Sequence, residues 1–466
     1  MKIVKWLGIL FGGLFALLLI TGLSLYFAVK PYLSSDSFRT LLESEVSKKL
    51  QVNVKFEPLQ WNGLTVFTNS LKTVGDSKVA IKSLEAQQLR IGIALRPLLQ
   101  KVARVDLIEM QSLAIEFQLP EPQTETPQAS EAPSSPPPVW IQSIAPQKVE
   151  IGEITIQQGK LRWPSGESDF GQLTQFKLLA SVDGDDFNLF VSDGKLEIPQ
   201  LPVFALKALK GRAHQQNIFI TTAVLQYENQ GTLNLDGELG MGTPTTAHLN
   251  IEINALPITP FLQGDWKARL LGNINGKIKL DQDEKTNGVP QVTGSVELTQ
   301  GKIEALPLFN QIGEMLKFVD LTQVDRWRSV ALDRAKTNLH WTPQKITLDQ
   351  IDFESKKLLL LQGKIDIEGE AVAGTLLIGS NPKTIELVPG LIDKIFNQPT
   401  GEYAATSVIL SGTKSDPKED LTERLAMAAI SGLLEKLPNG VGDKVKNITD
   451  ELQKKAPGLL DLFKKQ

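Results

Sequence analysis

Apolar and polar side chains alternate along most of this chain from Val52 onward. In QVNVKFE the apolar positions are Val52, Val54 and Phe56. Successive side chains of a β-strand point to opposite faces, so this spacing predicts strands with one apolar and one polar face. The same spacing recurs in later segments, for example at Leu89, Ile91, Ile93 and Leu95, at Leu113, Ile115, Phe117 and Leu119, at Leu249, Ile251 and Ile253, and at Ile274, Ile278 and Leu280. We therefore expect a mainly β protein.

The N-terminal pattern is different, because the run Trp6–Val29 has no charged side chain. As a helix its 24 residues span about 36 Å, enough to cross a hydrocarbon core of roughly 30 Å. Lys2 and Lys5 precede the run, which favours a cytoplasmic N-terminus and export of the rest of the chain. A cleaved signal peptide is the alternative, but the run is longer than a usual signal core and has no small-x-small site before Lys30. The residues assigned to this single-pass inner-membrane anchor are Trp6, Leu18 and Tyr26.

Helical periodicity occurs once before the alternation and interrupts it in two later places. Ser35–Leu50 places its apolar residues on one helix face, and Leu308–Val319 does the same. A third helix is predicted from Asp416, as N-cap, to Leu437, and a second amphipathic stripe follows it. The features that predict this start are Pro417 at the first helical position, Glu419 in a capping box, and Val441, Val445, Ile448 and Leu452 in the later stripe.

The segment 120–138 has seven prolines and no large apolar residue. This composition favours a solvated linker or long loop over a packed element, and we prefer that interpretation to a Pro-rich recognition motif. The predicted organisation is an anchor in 1–30, a helix and a first β segment in 31–119, the Pro-rich linker or loop in 120–138, a β-rich domain in 139–415 with a helical insertion near 305–320, and C-terminal helices in 416–466.

Composition narrows the chemistry that the chain can perform. A formal net charge of −4 with both signs interspersed lacks the basic footprint of a nucleic-acid-binding protein. Cysteine is absent, which excludes disulfides, thiolate zinc sites and a lipoprotein anchor. The three histidines, His214, His248 and His340, do not have metal-ligand spacing or a neighbouring nucleophile motif. We therefore predict no catalytic residue, no metal, no cofactor and no enzymatic activity.

Two short stretches resemble a known family. Helix plus strand at Leu41–Phe56 resembles the chorein-like start of AsmA-like bacterial envelope proteins, which include TamB-type members, and LSGTKSDPK at Leu410–Lys418 resembles their recurrent closing strand. The resemblance implies an elongated, curved antiparallel β-sheet that forms a groove with an apolar interior, between the anchor and C-terminal amphipathic helices. It also implies a role in phospholipid movement or outer-membrane assembly in the periplasm.

The leading hypothesis is therefore a protein that binds or conducts phospholipid along an apolar β-groove and so supports envelope biogenesis. Possible partners are phospholipid or another acyl lipid, the inner membrane and other envelope proteins. A non-enzymatic scaffold for outer-membrane protein assembly is the second hypothesis, and an envelope enzyme is the third. Alternation does not distinguish an open groove from an ordinary filled core. The candidate lipid-binding positions on the apolar strand face are Leu249, Ile251, Ile253, Ile274, Ile278, Ile303, Ile365 and Ile367.

Overall fold

A computed structural model describes most of the chain between residues 52 and 428, together with six positions between 36 and 47. The ranges are 52–62, 65–74, 81–94, 102–118 and 148–428, with gaps at 165–168, 185, 216, 241–245, 263, 265, 305–328, 357, 387–390 and 426. The predicted anchor residues Trp6, Leu18 and Tyr26, the predicted helix Leu308–Val319 and the stripe after Leu437 lie outside these residues. Within the ranges given, no helix has the length and apolar character needed to cross a membrane.

The chain divides into two compact units. Unit 1 comprises residues 1–251 and 281–288, and unit 2 comprises residues 252–280 and 289–466. Both are built mainly from β-strands, as the alternation predicts. The strands of unit 1 are β1 (Asn53–Phe56), β2 (Gln60–Asn62), β3 (Thr65–Val74), β4 (Ile81–Ala94), β5 (Val102–Phe117), β6 (Lys148–Pro164), β7 (Phe170–Asp183), β8 (Asp186–Glu197), β9 (Phe204–His214), β10 (Asn217–Tyr227) and β11 (Thr232–Gly240). Two further strands, β12 (Thr246–Pro257) and β13 (Leu270–Gln282), contribute residues to both units.

Neighbouring strands of unit 1 pair mostly as antiparallel hairpins, with one exception between β5 and β6. These two strands are parallel, with Val102 opposite Lys148 and Glu116 opposite Arg162. A parallel pair needs a connection long enough to return the chain to the starting end, and a dozen residues suffice. The 30 residues 118–147, which contain the Pro-rich segment, make this pairing feasible. The strands on either side of that segment are thus direct neighbours in one unit.

Several long strands contain non-glycine residues with left-handed backbone. In unit 1 these include Gln88, Gln175 and Asp193, with φ of 50°, 58° and 63°. Gln175 lies at a shift of the β6–β7 register, between the pairs Gly159–Phe176 and Lys160–Thr174, and so forms a β-bulge, whereas the β7–β8 register passes Asp193 without a shift. Bulges of this kind kink a strand and increase its twist. The Lys177 ammonium on β7 bonds the Asp193 carboxylate on β8 at 2.9 Å, and this bond holds the pKa of Asp193 below its usual value.

Unit 2 has the same strand-rich character and a few short helices. Its strands are β14 (Gln291–Glu304), β15 (Ser329–Ala331), β16 (Arg334–Trp341), β17 (Lys345–Ser355), β18 (Leu359–Glu368), β19 (Ala371–Ser380), β20 (Gln398–Thr400), β21 (Tyr403–Gly412) and β22 (Pro417–Glu419). The helical elements are a 3₁₀ turn (Thr259–Phe261), α1 (Trp266–Arg269), α2 (Pro382–Ile385), α3 (Leu391–Lys394) and the helical residues 421–425. Apolar residues of α2, α3 and 421–425 pack onto the sheet in one core, where Ile385, Leu391, Leu421 and Leu425 are all buried.

The predicted helix start at Asp416 is wrong. Pro417–Glu419 forms β22, which pairs with the end of β21, and helical residues begin at Leu421. Thr413 and Asp416 close a tight hairpin turn, because the Asp416 N–H donates to both the carbonyl and the hydroxyl of Thr413. Glu419 then caps the helix, since its carboxylate accepts from the N–H groups of Leu421 and Thr422. The capping residue is therefore three positions later than the sequence pattern indicates.

Candidate functional site

One apolar face runs without interruption across unit 1 from β3 to β11. Residues that are direct cross-strand partners share a face, so the register can be followed from strand to strand. One such row of partners is Val66, Ile91, Ile108, Ile154, Ala180, Leu189, Gly211, Ile220 and Gly237. A second row, one step along the strands, is Leu178, Val191, Leu209, Ala223 and Leu235.

The cover over this face changes along the row. Ile108 is 0% exposed and Ile154 is 1% exposed, and both belong to a continuous core formed by the early strands. From β8 onward the partners in the same row, Leu189 and Ile220, are only half-buried. The face is therefore a filled core at β3–β6 and is partly uncovered at several positions of β8–β11, although Phe204, Leu206, Ala223 and Leu225 on these strands are buried. We call the uncovered part the unit 1 platform; it consists of Leu189, Val191, Leu209, Ile220 and Leu235.

Two aromatic residues occupy the space above glycines of β6 and β7. A Cβ added to Gly159 on β6 would lie 2.1 Å from the ring of Phe176 on β7, and one added to Gly171 would lie 2.5 Å from the ring of Trp163. Glycine at these positions lets an aromatic ring lie flat on the neighbouring strand. The ring itself then covers that part of the sheet. Phe176 is 4% exposed, so its ring is buried where it covers Gly159.

In unit 2 the apolar face is also buried in one part and half-buried in another. Here the change occurs from one end of each strand to the other. Towards α2, α3 and 421–425, the partners Ile351, Leu376 and Val408 lie in rows on β17, β19 and β21 and are buried. At the other end of the same strands the apolar partners are half-buried. We call this end the unit 2 platform; it consists of Leu339, Trp341, Ile346, Leu348, Ile365, Ile367 and Val372.

The predicted lipid-binding residues fall into two groups. Ile365 and Ile367 lie in the unit 2 platform, and Leu249, Ile251, Ile274 and Ile278 are also half-buried on β12 and β13. Ile253 and Ile303 are instead buried, with Ile303 inside the core of unit 2. The platform residues Leu189, Val191, Leu209 and Ile220 were missed, although Phe187, Leu189 and Val191 alternate in DFNLFV. The signal there is obscured by Phe190, an apolar residue on the opposite face.

Charged groups lie on the polar face and mostly pair with each other. Each histidine contacts an aspartate: His214 bonds Asp186, His248 Nδ1 lies 2.9 Å from Asp281 Oδ1, and His340 Nε2 lies 3.6 Å from Asp349 Oδ2. The residues next to each histidine in its strand lie on the apolar face. The histidine side chains therefore lie on the opposite, polar face and not on a platform. Across the strands and turns that the structure describes, no set of three or more His, Asp or Glu side chains could hold a metal ion.

A connected polar cluster lies on β16, β17 and β21. Arg334 bonds Asp352 at 2.6 Å and Glu354 at 2.7 Å, and the Tyr403 hydroxyl donates to Glu354 Oε1 and to the Ser355 carbonyl, each at 3.1 Å. Burial and the Glu354 carboxylate raise the pKa of Tyr403 to about 12. Tyr403 thereby connects β21 to β17 across the two intervening strands β18 and β19, and its Cβ lies 3.1 Å from the position that a Cβ on Gly379 of β19 would occupy.

Within the described residues, the two platforms are therefore candidate ligand-binding surfaces. They offer apolar area without reactive groups, which suits hydrocarbon better than a polar substrate. Comparison of the chain with protein-family models, with curated proteins and with solved structures finds no match.

Proposed function

We propose that this protein is a membrane-anchored, AsmA-like periplasmic protein that binds phospholipid by its acyl chains on the two platforms and supports envelope biogenesis. The observation that carries the proposal is the row from Val66 to Gly237, whose members are all apolar or glycine but whose exposure rises from β8 onward. A row that only had to fill a core would stay covered along its whole length.

The energetics favour acyl chains as the ligand. Neighbouring strands lie about 4.8 Å apart, so the three steps from β8 to β11 span about 14 Å, the length of a large part of a fatty acyl chain. Each methylene removed from water contributes about 0.8 kcal/mol, so even partial cover of such a chain gives substantial binding. No catalytic group is needed for this activity.

Photocrosslinking from single positions tests the proposal. A photoreactive amino acid at Leu189 or Ile365, both in a platform, should capture phospholipid when the full chain is expressed in its membrane. Ile251 and Ile278, also half-buried, serve as further test positions. Two controls are matched to them: Ile108, a buried member of the same row as Leu189, and Phe190, which is 38% exposed on the opposite face of β8. Lipid adducts at the platform positions and not at the controls support the proposal; equal yields at all positions overturn it.

The scaffold function has one observation in its favour. Leu179 and Phe190 are direct partners on β7 and β8, and both are exposed on the face opposite to the platform. Paired exposed apolar residues favour a protein contact. Protein adducts at Phe190 together with no lipid at Leu189 would support the scaffold over lipid binding.

A further inference from the structure

The two ends of the unit 1 strands differ in polarity. The end at the β8–β9 connection is apolar, whereas the end at the β7–β8 turn carries charged residues. The connection between β8 and β9, Ile198–Val203, reads IPQLPV and contains no charged residue. Leu201 is 46% exposed and Val203 is 50% exposed. Phe170, which is 39% exposed, lies at the same end, because it stands two residues before Gln172, the register partner of Glu197. We call Phe170 and Ile198–Val203 the apolar tip.

The backbone of the tip is held in place. The Leu201 N–H donates to the Ile198 carbonyl at 3.1 Å, and Gln200 takes the left-handed conformation that this turn requires. Pro199 and Pro202 fix two further backbone angles. A loop fixed in this way presents its aliphatic side chains to the outside with little further loss of conformational entropy on binding.

The opposite end of the same strands has the reverse character. There Asp183 and Asp186 flank the β7–β8 turn, and Asp186 pairs with Arg212 and His214 on β9. The sheet of unit 1 is therefore polarised along its strands, with an ion-paired end and an apolar end. The apolar end also meets the apolar face, since the partners Leu196, Phe204 and Tyr227 carry that face to the edge of the tip.

We infer that the apolar tip inserts into the interfacial layer of a lipid bilayer, so that lipid can pass between the bilayer and the unit 1 platform. This inference rests on the proposed function. The loop is aliphatic and proline-rich, whereas protein interfaces favour aromatic, Met and Arg side chains. Lys195 and Lys207, both exposed, stand on either side of the loop, where their long side chains reach a headgroup layer while the loop lies below it.

Charge alone does not drive this contact. Asp169 and Glu228 are exposed at the same end and offset the two lysines, and Glu197 is bonded by Gln172. Arg162 stacks over the Phe170 ring with its guanidinium carbon 4.0 Å from the ring centroid, so this aromatic ring is held at the base of the tip. Insertion depends on the apolar side chains and is expected on neutral phosphatidylcholine.

The absence of cysteine in the chain permits a direct test. The full-length L201C and D183C variants are each labelled with an environment-sensitive fluorophore and mixed with phosphatidylcholine vesicles that contain a spin-labelled, quenching lipid. The label at the apolar tip should be quenched about threefold more than the label at the ion-paired end, as for an interfacial segment. Adding V203N to L201C should remove most of that difference while the far-UV circular dichroism stays unchanged.

The outcomes separate this inference from the function beneath it. Equal quenching at positions 201 and 183 overturns the inference, as does a response of the Leu201 label to soluble envelope proteins but not to protein-free vesicles. If equal quenching occurs while Leu189 still crosslinks phospholipid, the platforms bind lipid but do not receive it through the tip. If both results are negative, the proposed function fails with the inference.

Discussion

The Glu43 carboxylate accepts a hydrogen bond from the backbone N–H of Phe56 at 2.9 Å. Ser47, one helical turn later, accepts from the N–H of Val54 at 2.9 Å. These N–H groups belong to β1, whose other side pairs with β3. The side chains of the helical residues Glu43 and Ser47 therefore occupy donors that β1 would otherwise offer to another strand, and covering an edge strand in this way protects it from pairing with another chain.

Replacing Glu43 by Ala should expose this edge. The Phe56 N–H would lose its acceptor while the strand around it stays buried, at a cost of about 1–2 kcal/mol in the free energy of unfolding. Hydrogen exchange at the β1 amides should accelerate, as measured by mass spectrometry. Asp36→Ala is the matched control, since Asp36 pairs only with Arg39 and its side chain is 86% exposed. Unchanged exchange in β1 of Glu43→Ala would contradict the edge role.

A methyl group at Gly159 should destabilise unit 1. The new Cβ would overlap the buried Phe176 ring, and forced overpacking of a core typically costs 1–3 kcal/mol. Phe176→Leu makes room, so the double variant should lose less stability than the sum of the two single variants. Denaturant unfolding followed by tryptophan fluorescence gives the three free energies. If the losses in the free energy of unfolding were additive, the packing of the Phe176 ring would not depend on glycine at position 159.

Tyr403→Phe should weaken unit 2 and change its response to alkali. The variant loses hydrogen bonds to Glu354 and Ser355, about 1–2 kcal/mol in total. Because the folded pKa of Tyr403 is raised to about 12 from an ordinary value of 10, its contribution is complete below pH 10 and is lost as pH rises towards 12. Thermal melts between pH 9 and 12 should fall more steeply for the wild type than for Tyr403→Phe. Parallel curves would refute the assignment.

Asp366→Asn should act at the other end of the pH range. The Thr347 hydroxyl, at 2.6 Å, and the ammonium groups of Lys364 and Lys345 lower the pKa of Asp366 to about 2. The stabilisation is therefore present above about pH 4 and is lost as pH falls towards 2. The variant should be less stable than the wild type at pH 7 and should match it near pH 2, as measured by thermal denaturation. A constant difference across that range would contradict a role for the charge.

The sequence predicts the strands well but not the state of their faces. Val54, Ile91 and Ile115 alternate with polar neighbours and are buried as expected. Leu189 and Ile108 carry the same local signal, yet one is half-buried and the other is fully buried, because cover depends on which strands fold over them. Local spacing contains no information on that cover.

Bulges and the closing hairpin were unpredictable for a different reason. Gln175 and Gln350 take left-handed backbone without being glycine, so composition gives no signal for the bend. Asp416 and Pro417 satisfy the rules for a helix start, but pairing of Leu410–Gly412 with Pro417–Glu419 outweighs them. Tertiary hydrogen bonding overrides local propensity at these positions.

The parallel pairing of β5 and β6 has a consequence for how unit 1 assembles. Hairpins on either side of it close over a few residues, whereas this ladder joins strands separated by the 30 residues 118–147, with a loop-closure cost of ~3 kcal/mol. Contacts of high sequence separation form late. We therefore expect the two hairpin series to form first and their lateral joining to be slower in refolding, and lengthening the Pro-rich connection should retard that joining only slightly.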